Sequence, residues 1–257
     1  MRSAIRKPLV EALPAKEALK VKLAETPDEL RAAQRLRYEI FTNEFGANLQ
    51  SLTPLLDSDC YDPFCHHLVV KNAMGMVIAT TRLLDEKNAM LNGGFYSENE
   101  FDLTAVKILQ GRKLEIGRTC VHADYRSGAT LALLWSGIAR FVLEHQYDFL
   151  LGCGSISIRN GFEDAWSITH QLMRRHGLDP ELKVSPRRPL PSVDTPADPP
   201  AAIPALIKAY CRLGAGIGGP PCWDPDFQCA DLFILLPVRA LEARYARHFL
   251  KPGDETR

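Results

Sequence analysis

The chain has 257 residues, and its 31 basic and 31 acidic side chains cancel to a formal net charge of zero. Apolar residues make up 46% and charged residues 24%, ordinary values for a globular chain long enough to bury a sizeable core. This balance excludes the phosphate-neutralising surplus of Lys and Arg that a nucleic-acid binder needs, and the longest apolar runs, such as 232–238, are strand-sized rather than membrane-spanning.

Residues 1–19 read as a flexible, mildly basic arm without the apolar stretch of a signal peptide. Alternation at 19–23 predicts a first strand. Thr26-Pro27-Asp28-Glu29 then opens a helix: Thr26 caps it, Pro27 suits its first position, and Glu29 completes a capping box. Ala33, Leu36 and Ile40 recur at helical spacing, with Arg37 and Phe41 on a neighbouring stripe. Residues 46–64 form an irregular loop, and 67–71 and 76–84 form a hairpin joined at 72–75. A polar insertion with a short helix near 98–109 leads to a strand at 113–121.

Leu131, Leu134, Trp135, Ile138 and Val142 mark an amphipathic helix. A short buried strand follows at 149–153, then a helix at 161–176 stopped by Gly177. Eight prolines between 180 and 204 exclude regular structure and predict an extended insertion. A short helix near 205–213, a strand at 231–237 and a terminal helix carrying Leu241, Tyr245 and Phe249 complete the order. Strands and helices so arranged predict one α/β domain over 20–250, a mixed central sheet flanked by helices. Seven cysteines, an odd number without a Cys-x-x-Cys pair, predict reduced thiols in a cytoplasmic protein with no metal site.

Four groups of residues could carry chemistry. Arg126-Ser127-Gly128-Ala129-Thr130 lies between a strand and a strong helix, where free N–H groups and a positive dipole end suit a phosphate. Read alone, Ser127 is also a simple helix cap. Glu115 and Arg118 share a strand but face opposite sides of it unless a bulge intervenes. A desolvated Glu115 serves as a general base, whereas an exposed one makes an edge salt bridge. Asp57, Asp59 and Asp62 attract a cation such as a substrate ammonium, though a solvated turn explains them equally. Cys65, His66 and His67 are neighbours whose side chains alternate across a strand, which leaves His67 as a second candidate base.

Taken in order, these fragments resemble the GNAT-like N-acyltransferases that use acyl carrier protein, a group that includes acyl-homoserine lactone synthases and the L-ornithine N-acyltransferases of ornithine lipid synthesis. The shared patterns are Arg37 with Phe41 in the first helix, the acidic loop 57–62, Thr81-Arg82-Leu83, and Glu115-Ile116-Gly117-Arg118. GFYSENEFDL (94–103), VHADYRSGAT (121–130) and WDPDFQCADLFILL (223–236) are similar to the ornithine branch specifically. Arg126-Ser127-Gly128-Ala129 looks like a reduced form of the GNAT pyrophosphate loop, compatible with a carrier that presents a single phosphate.

The resemblance implies transfer of a 3-hydroxyacyl chain from acyl carrier protein to the α-amino group of L-ornithine, giving lyso-ornithine lipid. The pantetheine thioester is then a co-substrate, and no cofactor is needed. Glu115, with Arg118 and then His67, would do the catalytic work. Asp57, Asp59 and Asp62 would hold the ammonium groups, and Arg37, Arg82 or Arg118 the carboxylate, with Phe41 beside them. Residues 126–130 would bind the donor. A separate O-acyltransferase would complete the lipid, and the basic arm and the tail 243–250 would touch the inner membrane surface. The competing readings are an acyl-homoserine lactone synthase, another GNAT amine acyltransferase, and a non-catalytic acyl-carrier or lipid-binding module.

Overall fold

A computed structural model describes residues 19–51, 53–194 and 201–240. The terminal helix expected beyond 240 and both expected membrane-contact segments lie outside these residues. The elements in chain order are β1 (Lys20–Leu23), α1 (Pro27–Ile40), β2 (His66–Lys71), β3 (Val77–Asp85), α2 (Glu86–Leu91), β4 (Phe101–Asp102), α3 (Thr104–Lys107) and β5 (Lys113–Val121). There follow α4 (Gly128–Glu144), β6 (Phe149–Ser157), α5 (Glu163–His176), β7 (Ser185–Pro186), α6 (Ala205–Arg212), β8 (Gly216–Ile217), β9 (Cys222–Asp224) and β10 (Cys229–Pro237).

The main sheet runs β1-β2-β3-β5-β6-β10-β8, with β9 paired to β10. Every neighbour is antiparallel except β5 and β6. The period of two along a strand places Leu68 and Val70 of β2 against Leu134, Ile138 and Val142 of α4, while Val69 meets Ala33, Leu36 and Ile40 of α1 on the opposite face. Buried on both faces, β3 and β10 therefore read as nearly continuous apolar runs. Residues 86–109 cover the β6–β10 half of the α1 side through Phe95, Phe101, Leu103 and Val106, packed on Leu151, Phe233 and Leu235.

The cap of α1 forms as expected, with the Thr26 hydroxyl accepting from the Glu29 N–H at 3.2 Å. The returning bond of the capping box goes one residue further back, from the Glu25 N–H to Glu29. Gly75 supplies the left-handed residue that the β2–β3 turn requires, at φ 79°. Gly177 does stop α5, but in an extended conformation; a Cβ there would stand 2.5 Å from the Met173 carbonyl oxygen.

Three expectations are refined. The short helix expected near 98–109 is α3, and the insertion also holds α2, β4 and a 3₁₀ turn (Tyr96–Asn99). The strand expected at 149–153 runs nine residues, because its outer half pairs with β10 rather than β5. The proline-rich stretch is partly regular: β7 pairs with β4, Pro189 bridges Cys222, and the Trp223 N–H donates to the Arg188 carbonyl. Proline lacks an N–H but accepts freely, so edge pairing of this kind remains open to it.

Candidate active site

The parallel pair β5–β6 holds register for three residues only, Lys113↔Phe149 to Glu115↔Leu151, and then splays. Gly152 sits at the parting point, where a Cβ would collide with the Ile116 carbonyl oxygen. A narrow apolar crevice opens there, lined by Ile116, Leu151, Gly152 and Cys153 and closed by Trp135 of α4 and Tyr210 of α6.

On the other side of β5 the ladder to β3 slips between Thr80↔Cys120 and Arg82↔Gly117. Arg118 takes up the extra residue with a left-handed φ of 51°. This is the bulge that Glu115 and Arg118 require if they are to face one side, and both converge on Tyr96. The Glu115 carboxylate accepts from the Tyr96 and Ser97 N–H groups at 2.7 Å each, and from the Ser97 hydroxyl. The Arg118 guanidinium lies over the Tyr96 ring at 4.7 Å and the Phe227 ring at 4.5 Å. Burial raises the Glu115 pKa against these three bonds, which favour its charged form.

The acidic loop is not free to meet a ligand with its full charge, because three arginines meet it first. Arg37, wholly buried, contacts Asp57 and Asp62 at 2.8 Å each. Arg82 contacts Asp59 at 2.7 Å and Asp62 at 3.0 Å. Arg118 reaches Asp57 and Asp59 at 3.3 and 3.5 Å. Burial alone would raise the Asp62 carboxyl, but Arg37, Arg82, His67 and Gln34 carry it down to about 2. Burial would likewise lower the Arg118 pKa, and Tyr96, Asp57 and Asp59 hold it well above its ordinary value.

His67 is buried against this cluster, with Nε2 3.0 Å from the Asp62 carbonyl oxygen and Nδ1 3.4 Å from Arg37. Burial lowers its pKa, and both ring nitrogens are engaged. Phe41 packs edge-on against Phe227 at 5.4 Å and so supports the ring that carries Arg118.

Of the expected acceptor-binding residues, Asp57, Asp59 and Arg118 line a cavity of about 330 Å³, within the range of small-molecule sites. Arg37, Phe41, Asp62 and Arg82 lie behind its wall. The lining also includes Tyr96, Glu100, Trp223 and Asp224, from the stretches 94–103 and 223–236 without an assigned role there, and Arg187 and Arg188 of the proline-rich segment, which sequence reasoning did not single out. The pairing of β7 with β4, and the Arg187 N–H donating to the Glu100 carbonyl at 2.6 Å, bring the proline-rich segment to this wall.

Asp224, Cys229 and Asp231 offer ligand atoms within 4.8 Å of one another, the one such convergence among the described residues. Burial and the neighbouring carboxylates push the Cys229 thiol well up.

At the other end of the bulged strand, Ser127 caps α4 by accepting from the Thr130 N–H at 3.3 Å. Thr130 is buried, while Gly128 and Ala129 are exposed at a helix start with no acidic residue in its first turn. Arg126 pairs with Glu44 at 2.5 Å.

Residues 36–136 match the acetyltransferase (GNAT) domain model. An L-ornithine N(alpha)-acyltransferase of Rhodobacter capsulatus is 33% identical, the match covering 90% of this chain and 94% of the relative. A second, from Rhizobium meliloti, is 31% identical over 97% of this chain and 90% of its own. The chain belongs to the L-ornithine N(alpha)-acyltransferase family. It is a GNAT-fold acyltransferase, and its fold is shared with the solved coenzyme A-dependent acyl-homoserine lactone synthase BjaI. That structure aligns with a TM-score of 0.54 at 15% identity, covering 88% of this chain and 84% of the synthase. Among the described residues no helix is long and apolar enough to cross a membrane.

Proposed function

We propose that the enzyme transfers a 3-hydroxyacyl group from acyl carrier protein to the α-amino group of L-ornithine, giving lyso-ornithine lipid for a separate O-acyltransferase to complete. One observation carries the reading: beside a cavity lined by both carboxylates and arginines lies an apolar crevice where β5 and β6 part, and Cys153 of the crevice touches Glu100 of the cavity. A diamino acid presents ammonium groups and a carboxylate, and a thioester presents an apolar chain. The two openings suit these two chemistries, and the family's names agree with them.

In this reading the pantetheine arm enters between the splayed strands and its phosphate rests on the start of α4, at Ser127, Gly128 and Ala129. The acceptor lies in the larger cavity, its carboxylate toward Arg118 and its ammonium groups toward the acidic side chains. The free amine attacks the thioester carbonyl directly, and a backbone N–H at the β5 bulge stabilises the oxyanion, so no covalent enzyme intermediate forms.

Purified enzyme is incubated with 3-hydroxyacyl carrier protein and L-ornithine, and the product is read by mass spectrometry. The N-acylated product is expected only when both substrates are present. Turnover with acyl-coenzyme A at equal efficiency would remove the carrier from the proposal, and acylation confined to other amines would remove ornithine.

A further inference from the structure

Glu100 is a buried carboxylate at the edge of the acceptor cavity. It is 7% exposed, it lines that cavity, and the side chains against it are the Cys153 thiol and the Asp231 carboxyl, with no backbone N–H bonded to either oxygen. The Cys153 thiol, which also lines the crevice between β5 and β6, lies against it. Glu100 therefore stands between the cavity it lines and the thiol that lines the crevice. Glu115, by contrast, spends both oxygens on the turn Tyr96–Asn99, and Glu100 is the residue that follows that turn.

We propose that Glu100 is the proton acceptor for the amine, and that Glu115 is a positioning residue which fixes the turn carrying Tyr96 and Glu100. The proposal rests on the functional reading above. The ammonium of the acceptor gives its proton to the Glu100 carboxylate, and the lone pair so freed attacks the thioester carbonyl. The C–N bond forms, the nitrogen of the tetrahedral intermediate releases its second proton to water, the C–S bond breaks, and the departing thiolate takes up the proton held by Glu100. The carboxylate is regenerated and no oxidant or metal is consumed.

The charged surroundings suit this role. Asp231 of β10 and Asp224 of β9 face Glu100 together with Cys153 of β6. Tyr96, Cys222 and Cys229 are coupled to it from their own elements. Arg187 is tied to its backbone, and Arg187, Arg188 and Arg118 line the same cavity. Burial comes first and the two aspartates second in pushing the Glu100 carboxyl well above the usual carboxylate range. Burial raises the Asp231 carboxyl as well.

The test compares pH–rate profiles at saturating donor and L-ornithine for wild type, Glu100→Gln and Glu115→Gln. A lost general base costs roughly 10²–10⁴ in kcat. Glu100→Gln should lose that much at pH 7 with KM for L-ornithine within about threefold, and the gap to wild type should narrow as pH rises and free amine accumulates. Glu115→Gln should show a gap that does not change with pH. A Glu100→Gln profile parallel to wild type, or a loss confined to KM, overturns the proposal. Should Glu100→Gln fail to fold by thermal unfolding, Glu100→Asp decides: a wild-type kcat plateau would overturn it, and a lowered plateau with the acid limb kept supports it. Wild-type enzyme giving no N-acyl-ornithine would instead remove the functional reading, independently of either variant.

Discussion

Arg37 is a wholly buried cation whose charge is matched by Asp57 and Asp62. Its long polar partners make it costly to remove: Arg37→Met leaves two buried carboxylates short of a counter-charge, and breaking a buried pair in this way costs about 3–5 kcal/mol. Denaturant unfolding of the variant against wild type checks this. Asp62 sets a pH dependence in the same cluster. Its folded pKa of about 2 lies below its ordinary 3.8, so its stabilisation is complete above that ordinary value and is lost as pH falls through about 2. Asp62→Asn should flatten the acid limb of the stability curve below pH 4, read by urea midpoints across pH. Sequence pointed to these aspartates as ligand groups because local spacing shows a cluster of carboxylates and not the arginines folded onto it from α1, β3 and β5. Glu100 and Asp231 lie in the stretches 94–103 and 223–236, where spacing assigns neither of them a role, for a related reason. The one visible signal was an acid inside the apolar run 229–237, a position where a charged side chain has to be explained.

At the scale of elements, β5 could be read to both its ends because alternation and the following loop agree. The need for a bulge between Glu115 and Arg118 was also legible, as a conflict between side-chain period and a shared task. The length of β6 was not, since the partner that extends it, β10, lies some 75 residues downstream. Nor could composition show that prolines 186 and 189 sit on edges, where a missing N–H costs nothing. Gly152 is the element-scale test of the splay. Gly152→Ala drives a methyl into the Ile116 carbonyl, and overpacking of this kind typically costs 1–3 kcal/mol. Lower unfolding stability is expected, together with a kcat/KM for the acyl donor that falls more than the KM for the amine rises.

For the whole molecule, the two openings lie in one continuous sheet, so filling either should be felt globally. A ligand that binds only the folded state at 100 times its Kd adds about 2.7 kcal/mol. L-ornithine should therefore raise the unfolding temperature in proportion to the logarithm of its concentration. Norvaline, which lacks the second ammonium, should do so much less, and equal shifts for both would show that the acidic side of the cavity does not read that group.

The arginine–aspartate lattice draws one side chain from α1, three from the loop at 57–62, and one each from β3 and β5. An intermediate missing any one contributor would strand a charge away from water, so closure of the lattice late and as a unit is the expectation to test. The chain can thus regain its helices and most of its sheet while still having no place to hold an amine. On dilution from urea, the circular-dichroism signal should return first and acyl transfer in a later phase, which makes catalysis itself the clock for the last step of folding.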